Sequence, residues 1–282
     1  MINGNTKLLC LLGSPVEHSF SPAMHNASFQ KLGINASYMA FDVKPESLEQ
    51  ALKGLRTLNF VGANVTYPYK EHVMSYLDDI DPKAKEIGAV NTIVHKDGKL
   101  CGYNTDADGF IESFNRFQFE LKNKKIAILG TGGAAKAVAV GLLYSNVKEV
   151  HVFSRNLEKA TLFCNSLDYP NICPRTYDIL DEDYPYDVIV NSTPLGMHPK
   201  IGHSIINSEI VGYNNTVFYD LIYNPQETEF LKNARLSGRR TINGLDMLIY
   251  QGIYALRRWF DFDQTKWTRD DVEDILKESQ II

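Results

Sequence analysis

The most specific chemical signal in this chain lies between residues 126 and 135. A compact apolar run, 126–129, leads at once into Gly130-Thr131-Gly132-Gly133-Ala134-Ala135 and an alanine-rich segment. This satisfies a GxGxxA pattern between a strand and a helix, the setting in which such glycines hold a dinucleotide. Gly130 permits the tight turn, Gly132 lets backbone approach a pyrophosphate, and Ala135 allows close helix packing, while the helix N-terminus offers unpaired N–H groups to the anion. A glycine-rich turn that binds nothing is the competing reading. The next strand runs into Ser154-Arg155-Asn156, with Lys159 one helical turn further on. An acidic residue there would accept from the ribose hydroxyls of NAD, whereas a guanidinium can hold the 2′-phosphate of NADP with paired hydrogen bonds. Arg155 taken alone is as readily a solvated surface residue; its distance from the glycine loop favours NADP.

A dinucleotide site in the second half gives meaning to polar residues in the first. Asn64-Val65-Thr66-Tyr67-Pro68-Tyr69-Lys70 ends an apolar run with polar groups and one lysine, and Gly102-Tyr103-Asn104-Thr105-Asp106-Ala107-Asp108-Gly109 ends another with two carboxylates. Lys70 and Asp106 are candidates for the proton transfer that accompanies hydride transfer to a carbonyl. Asn91 adds an amide at the start of a strand, and the segment from Gly13 to Pro22 brings the hydroxyls of Ser14, Ser19 and Ser21 to a helix N-terminus, suited to a carboxylate. Each feature also has an ordinary explanation. Capping accounts for Ser21, turn formation for the Asn and Asp residues, and surface placement for a lone lysine.

The elements that must position these groups alternate short apolar runs with helical stretches, the pattern of an α/β protein with a mainly parallel sheet. Strands are expected over 7–12, 36–43, 60–65, 92–94 and 100–103, the last two joined at Asp97-Gly98. A helix is expected from Ser21-Pro22, with Ser21 as its cap, to Gly33, and another over 48–55. Strands at 126–129, 150–153, 188–190 and 217–219 form a second series, and helices over 245–260 and from Thr268 close the chain. With 282 residues, 44% of them hydrophobic, two domains are expected, divided near Asp106 within a helical stretch through Phe110.

A net charge of −5 with both signs mixed along the chain presents no basic face, so no nucleic-acid partner is expected. The short apolar run before Gly13 is too brief for a signal-peptide core or a membrane span, which points to a cytoplasmic protein without a membrane partner. The 4 cysteines, Cys10, Cys101, Cys164 and Cys173, are far apart with no CxxC pair and are expected to be reduced thiols rather than disulfides or a metal site.

Taken together, these blocks resemble the shikimate dehydrogenase family over essentially the whole chain. The run Ser19-Phe20-Ser21-Pro22-Ala23-Met24-His25-Asn26, Asn64-Val65-Thr66 through Lys70, Gly88-Ala89-Val90-Asn91-Thr92 and Asn104-Thr105-Asp106 occur in the family's order. The glycine loop, Asn191-Ser192-Thr193-Pro194-Leu195-Gly196-Met197, Asp220-Leu221-Ile222-Tyr223-Asn224-Pro225, and Gly244 through Gln251 continue it. The resemblance implies a discontinuous α/β substrate-binding domain over 1–106 plus 245–282, a Rossmann-type NADP-binding domain over 107–244, and an active site in the cleft between them. It implies a monomer or homodimer that interconverts 3-dehydroshikimate and shikimate with NADP(H) and no metal. Ser19 and Ser21 would bind the substrate carboxylate, with Tyr223 near it. Thr66, Asn91, Asp106 and Gln251 would hold ring hydroxyls, and Lys70, protonated and held by Asp106, would be the acid–base group. Gly130, Thr131, Gly132, Gly133 and Ala134 would hold the pyrophosphate, Ser154, Arg155, Asn156 and Lys159 the adenosine end, and Leu221 and Gly244 the nicotinamide side.

One departure matters. The family commonly shows Asn-Arg-Thr and then Arg at the adenosine end, where this chain has Ser154-Arg155-Asn156 and then Lys159. Lysine lacks the planar fork of arginine, so looser 2′-phosphate binding is expected. Two competing readings share the fold. A quinate/shikimate dehydrogenase using NAD would favour an acidic residue at 154 or 155, and a non-catalytic dinucleotide-sensing protein would be marked by loss of Lys70 or Asp106; neither mark is present.

Overall fold

In the computed structural model, which describes residues 2–177, 184–206, 215–262 and 267–278, the first apolar run forms β1 (Lys7–Gly13). There follow α1 (Ser21–Leu32), β2 (Ala36–Asp42), α2 (Leu48–Thr57), β3 (Gly62–Val65), β4 (Asp79–Ile80), α3 (Pro82–Ile87), β5 (Thr92–Lys96), β6 (Lys99–Tyr103) and α4 (Asp106–Arg116). The six strands make one sheet in the order β2-β1-β3-β5-β6-β4. Its β1–β2, β1–β3 and β4–β6 pairings are parallel, while β5 is antiparallel to both its neighbours. Asp97 and Gly98, both with positive φ, make the tight β5–β6 turn. Ser21 proves to be the first residue of α1 rather than its cap: Phe20 holds the cap position, and Ser21 N–H donates to the Ser19 hydroxyl at 3.3 Å. Proline at the second helical position and a left-handed Gly33 at the end delimit the helix as expected.

The apolar residues of α2 recur at Leu48, Leu52 and Leu55, one face of a helix, and pack with Cys10, Leu12, Ala63 and Val65 from β1 and β3. Truncating Leu52, which is 2% exposed, to alanine is expected to cost about 2–4 kcal/mol in urea unfolding. An unchanged midpoint would mean that α2 is not part of this core.

The second sheet is entirely parallel. It is built from β7 (Lys125–Leu129), α5 (Gly133–Tyr144), β8 (Glu149–Phe153), α6 (Leu157–Leu167), β9 (Ile172–Arg175), β10 (Val188–Asn191), β11 (Val217–Asp220), α7 (Glu229–Leu236) and β12 (Arg240–Ile242). Its strand order, β12-β11-β10-β7-β8-β9, is that of a Rossmann fold, with the order reversing between β7 and β10. Val, Ile, Phe and Tyr fill its central strands because helices cover both faces of such a sheet. α5 is buried along most of its length, consistent with small residues at 134, 135, 137 and 139 that let it approach the sheet.

α8 (Leu245–Trp259) and α9 (Arg269–Glu278) end the described chain. Two compact units result: residues up to Gly109 together with those from Ile249 onward, and Phe110–Leu248. In the first, Trp259 Nε1 donates to Ile93 O on β5 at 2.9 Å, and the Lys31 ammonium of α1 pairs with Asp271 of α9. No described helix is long and apolar enough to cross a membrane.

Candidate active site

In the first unit, strand and helix ends bring four of the expected residues together. Lys70 follows β3, and its Nζ lies 2.6 Å from Asp106 Oδ2 at the start of α4. The other oxygen, Asp106 Oδ1, accepts from Asn91 Nδ2 at 2.8 Å, and Gln251 Oε1 on α8 stands 3.5 Å from the same amide. The carboxylate is thus engaged on both sides, by a charge-assisted bond and by a neutral donor. Asn91 is itself locked, because its Oδ1 accepts Thr105 N–H at 2.8 Å. The Lys70 side chain keeps 27% exposure, so its ammonium is held in place yet open to a ligand. Asp108, the second carboxylate of that block, belongs elsewhere and pairs with Lys83 at 2.5 Å.

The other expected residues of this unit surround the same strand ends. Thr66 N–H donates to Leu12 O at 2.9 Å, tying the turn after β3 to β1, and Ser19 and Ser21 flank the start of α1. Residues that the sequence left without a role link these points. Tyr38 donates its hydroxyl to Asn64 Oδ1 at 2.7 Å, and Asn64 Nδ2 donates to Asn91 O and to Thr92 Oγ1, both at 3.1 Å. A run of buried hydrogen bonds therefore leads from β2 to the Lys70–Asp106 pair. His25 is fully buried against the rings of Tyr38 and Trp259; burial pushes its pKa down to about 3, which keeps it neutral and makes it a packing group.

In the second unit the glycine turn has the features an anion site needs. Gly130 adopts φ +116°, and a Cβ there would meet Ser192 Oγ at 2.8 Å. Gly132 caps α5 with no side-chain bond to the helix, and no acidic residue stands in the first turn, so its leading N–H groups, with Thr131, Gly133 and Ala134 beside them, suit a pyrophosphate. At the end of β8, Ser154 is buried and Arg155 and Lys159 are exposed. Asn156 caps α6 by accepting from Lys159 N at 3.1 Å, which leaves both cationic side chains clear of capping duty. Tyr177, beyond β9, was not foreseen: its hydroxyl donates to Phe153 O at 3.2 Å, and burial raises its pKa to about 12 against the pull of the nearby Arg155 charge.

Leu221 and Gly244 are brought together, since Gly244 N–H donates to Ile222 O at 3.1 Å and a Cβ on Gly244 would collide with Leu221 O. Tyr223 is half-buried in the same turn, and burial raises its hydroxyl pKa. Asp220 beneath it is fully buried, and burial lifts its pKa from 3.8 to about 6 against three hydrogen-bond donors. The folded carboxyl keeps its proton to higher pH than the unfolded one, so its contribution to stability is fully present below about pH 4 and lost as pH rises through about 6. Relative to Asp220→Asn, the native protein is expected to lose about 3 kcal/mol across that window, read by urea unfolding at a series of pH values. Parallel curves for the two proteins would contradict it.

Glu149, His151 and Cys173 place donor atoms within 4.8 Å of one another, a set that could ligate a metal. Hydrogen bonds already account for two of them: His151 Nδ1 meets the Tyr186 hydroxyl and Nε2 meets Glu149 Oε1, both at 2.6 Å. Burial first, then the charges of Arg175 and Lys125, lower the His151 pKa, and those same cations oppose a metal ion. All four cysteines are free, and burial pushes the Cys10 and Cys164 thiols up to about 12, where they are inert.

A Rossmann unit with this glycine turn, joined to an α/β unit presenting a lysine–carboxylate pair, defines a nicotinamide-nucleotide dehydrogenase architecture. Residues 11–93 match the shikimate dehydrogenase substrate binding domain, and residues 113–223 match the shikimate / quinate 5-dehydrogenase family. The chain is 44% identical over 261 residues to the shikimate dehydrogenase (NADP(+)) of Caldanaerobacter subterraneus subsp. tengcongensis, covering 92% of this chain and 93% of that protein. A crystal structure of a shikimate dehydrogenase in complex with NADP+ matches with a TM-score of 0.92 at 41% identity, covering 99% of this chain and 97% of that one. The shikimate 5-dehydrogenase of Thermus thermophilus, solved with NADP(H) and shikimate, matches with a TM-score of 0.87 at 33% identity over 97% of this chain and 100% of that one. This chain belongs to the shikimate dehydrogenase family.

Proposed function

We propose that this protein reduces 3-dehydroshikimate to shikimate, reversibly, with NADPH, in the route to aromatic amino acids. The observation that carries this is the Lys70–Asp106 pair, held at 2.6 Å and tied to Asn91, in a chain whose other unit carries the glycine turn of a dinucleotide site. The unit around Lys70 takes the substrate, and the Rossmann unit takes NADP(H). When bound, NADPH supplies the hydride that adds to the carbonyl carbon. Lys70 donates a proton from Nζ to the carbonyl oxygen, which becomes the alcohol, and in the reverse direction accepts it. Asp106 fixes the direction of that ammonium, with Asn91 fixing Asp106. Thr66, Asn91, Asp106 and Gln251 hold ring hydroxyls, Ser19 and Ser21 hold the carboxylate with Tyr223 beside it, and Leu221 and Gly244 line the nicotinamide side. Arg155 and Lys159 hold the 2′-phosphate, with Ser154 and Asn156 shaping that turn. We place the enzyme in the cytosol, as a monomer or homodimer, in keeping with its free thiols.

The test is to supply 3-dehydroshikimate and NADPH and identify the product by chromatography. Stoichiometric shikimate is expected. NADPH binding without any consumption would instead favour a dinucleotide-sensing protein.

A further inference from the structure

The turn after β11 depends on a carboxylate for which the reaction chemistry has no direct use. Asp220 is fully buried and its partners are neutral donors from three segments. Oδ1 accepts from Ile222 N–H at 3.0 Å and Asn191 Nδ2 at 3.1 Å, and Oδ2 accepts from Thr228 Oγ1 at 2.6 Å. Burying a carboxylate against neutral donors alone is costly, so what those donors position becomes the question.

Each one sets a different piece of backbone. Ile222 N–H fixes the peptide after Leu221, the carbonyl against which Gly244 packs too closely for any side chain. Asn191 uses its own Oδ1 to hold the N–H and hydroxyl of Thr193 at 3.0 and 2.7 Å, and Thr193 Cγ2 lies 3.0 Å from where a Cβ on Gly130 would sit. Thr228 caps α7 by accepting from Leu231 N–H at 3.4 Å. One carboxylate therefore ties together the ends of β10 and β11, the start of α7 and, through Thr193, the glycine turn after β7.

We propose that Asp220 is a positioning residue for the nicotinamide, holding Leu221 and Gly244 in register with the glycine turn so that the ring is presented in one orientation. This rests on reading the Rossmann unit as the NADP-binding unit. Asp220 touches no reacting atom; it acts through Leu221 and Gly244.

Three variants separate this from a purely structural role. Asp220→Ala removes every acceptor. Thr228→Val removes one donor while keeping the shape, and serves if the alanine variant does not fold. Asp220→Asn keeps an oxygen for Ile222 and Asn191 and offers Thr228 an amide N–H, which its hydroxyl can meet by rotating. The measurements are kcat, KM for NADPH and the emission of bound NADPH, each per folded protein by circular dichroism. Asp220→Ala is expected to lower kcat about 30-fold or more, as an ångström-scale misplacement does, with KM for NADPH within about threefold because pyrophosphate and adenosine contacts remain. Its bound-NADPH emission falls toward that of the free cofactor, Thr228→Val shifts both in the same direction by less, and Asp220→Asn recovers most of the loss. Folded Asp220→Ala with native kcat and emission would overturn the proposal, as would a loss of NADPH affinity with kcat intact. Emission is read without substrate, so native protein that binds NADPH but leaves 3-dehydroshikimate unreduced contradicts the proposed function while Asp220 is still judged by emission.

Discussion

Replacing Lys70 with alanine is expected to abolish turnover while leaving shikimate affinity within about tenfold. Asp106 holds the ammonium at 2.6 Å, and Asn91 holds Asp106 at 2.8 Å, so the proposed proton donor is fixed in the absence of substrate. A positioned acid–base group is worth about 10²–10⁴ in rate, and hydride addition to a carbonyl cannot finish without that proton. In the proposed reading, substrate binding draws on other groups, Ser19, Ser21, Thr66 and Gln251 among them, which the substitution leaves in place. Arginine at position 70 should not restore activity, because a guanidinium does not give up its proton near neutral pH. The fold should survive, since Lys70 is not among the buried side chains of the core. Circular dichroism checks that, and steady-state rates with equilibrium shikimate binding check the rest. Unchanged turnover would remove Lys70 from the mechanism.

The second large effect concerns cofactor choice. Arg155→Asp should lower kcat/KM for NADPH about 100-fold and leave NADH within about threefold, because the contact proposed for Arg155 is a charge-assisted one to a phosphate that NADH lacks, and the new carboxylate repels it. Arg155 is exposed and Asn156 alone caps α6, so neither helix nor sheet depends on the guanidinium. Lys159 retains part of the binding as a point charge. Equal losses with both cofactors would mean that Arg155 supports the turn instead of reading the 2′-phosphate.

Much of the architecture was legible because central strands carry unbroken apolar runs: 126–129, 150–153, 188–190 and 217–219 all appear within β7, β8, β10 and β11. The strands that escaped are β4, β9 and β12, and each lies at a sheet edge. An edge strand needs no two-sided apolar burial, and Pro174 in β9 and Arg240 at the start of β12 are residues that suit an edge. The cap of α1 was misplaced by one residue because a serine two positions ahead of Ser21, not Ser21 itself, supplies the oxygen.

The site was legible as residue types and not as a constellation. Lys70, Asn91, Asp106 and Gln251 come from four separate blocks, and only the sheet order and α8 bring them within hydrogen-bond range. The family resemblance supplied that grouping; spacing along the chain could not. Tyr38 was hidden because a tyrosine in a strand signals packing, and nothing local says that its hydroxyl meets Asn64. Asp220 sat inside a recognised block, but two of its three neutral donors come from β10 and the cap of α7.

The most direct test of the central claim is initial-rate spectrophotometry at the absorbance of NADPH, with shikimate or quinate offered against NADP or NAD in all four combinations. A strong preference for shikimate with NADP is the expected result. Comparable rates with quinate and NAD, or no activity in any combination, would contradict it.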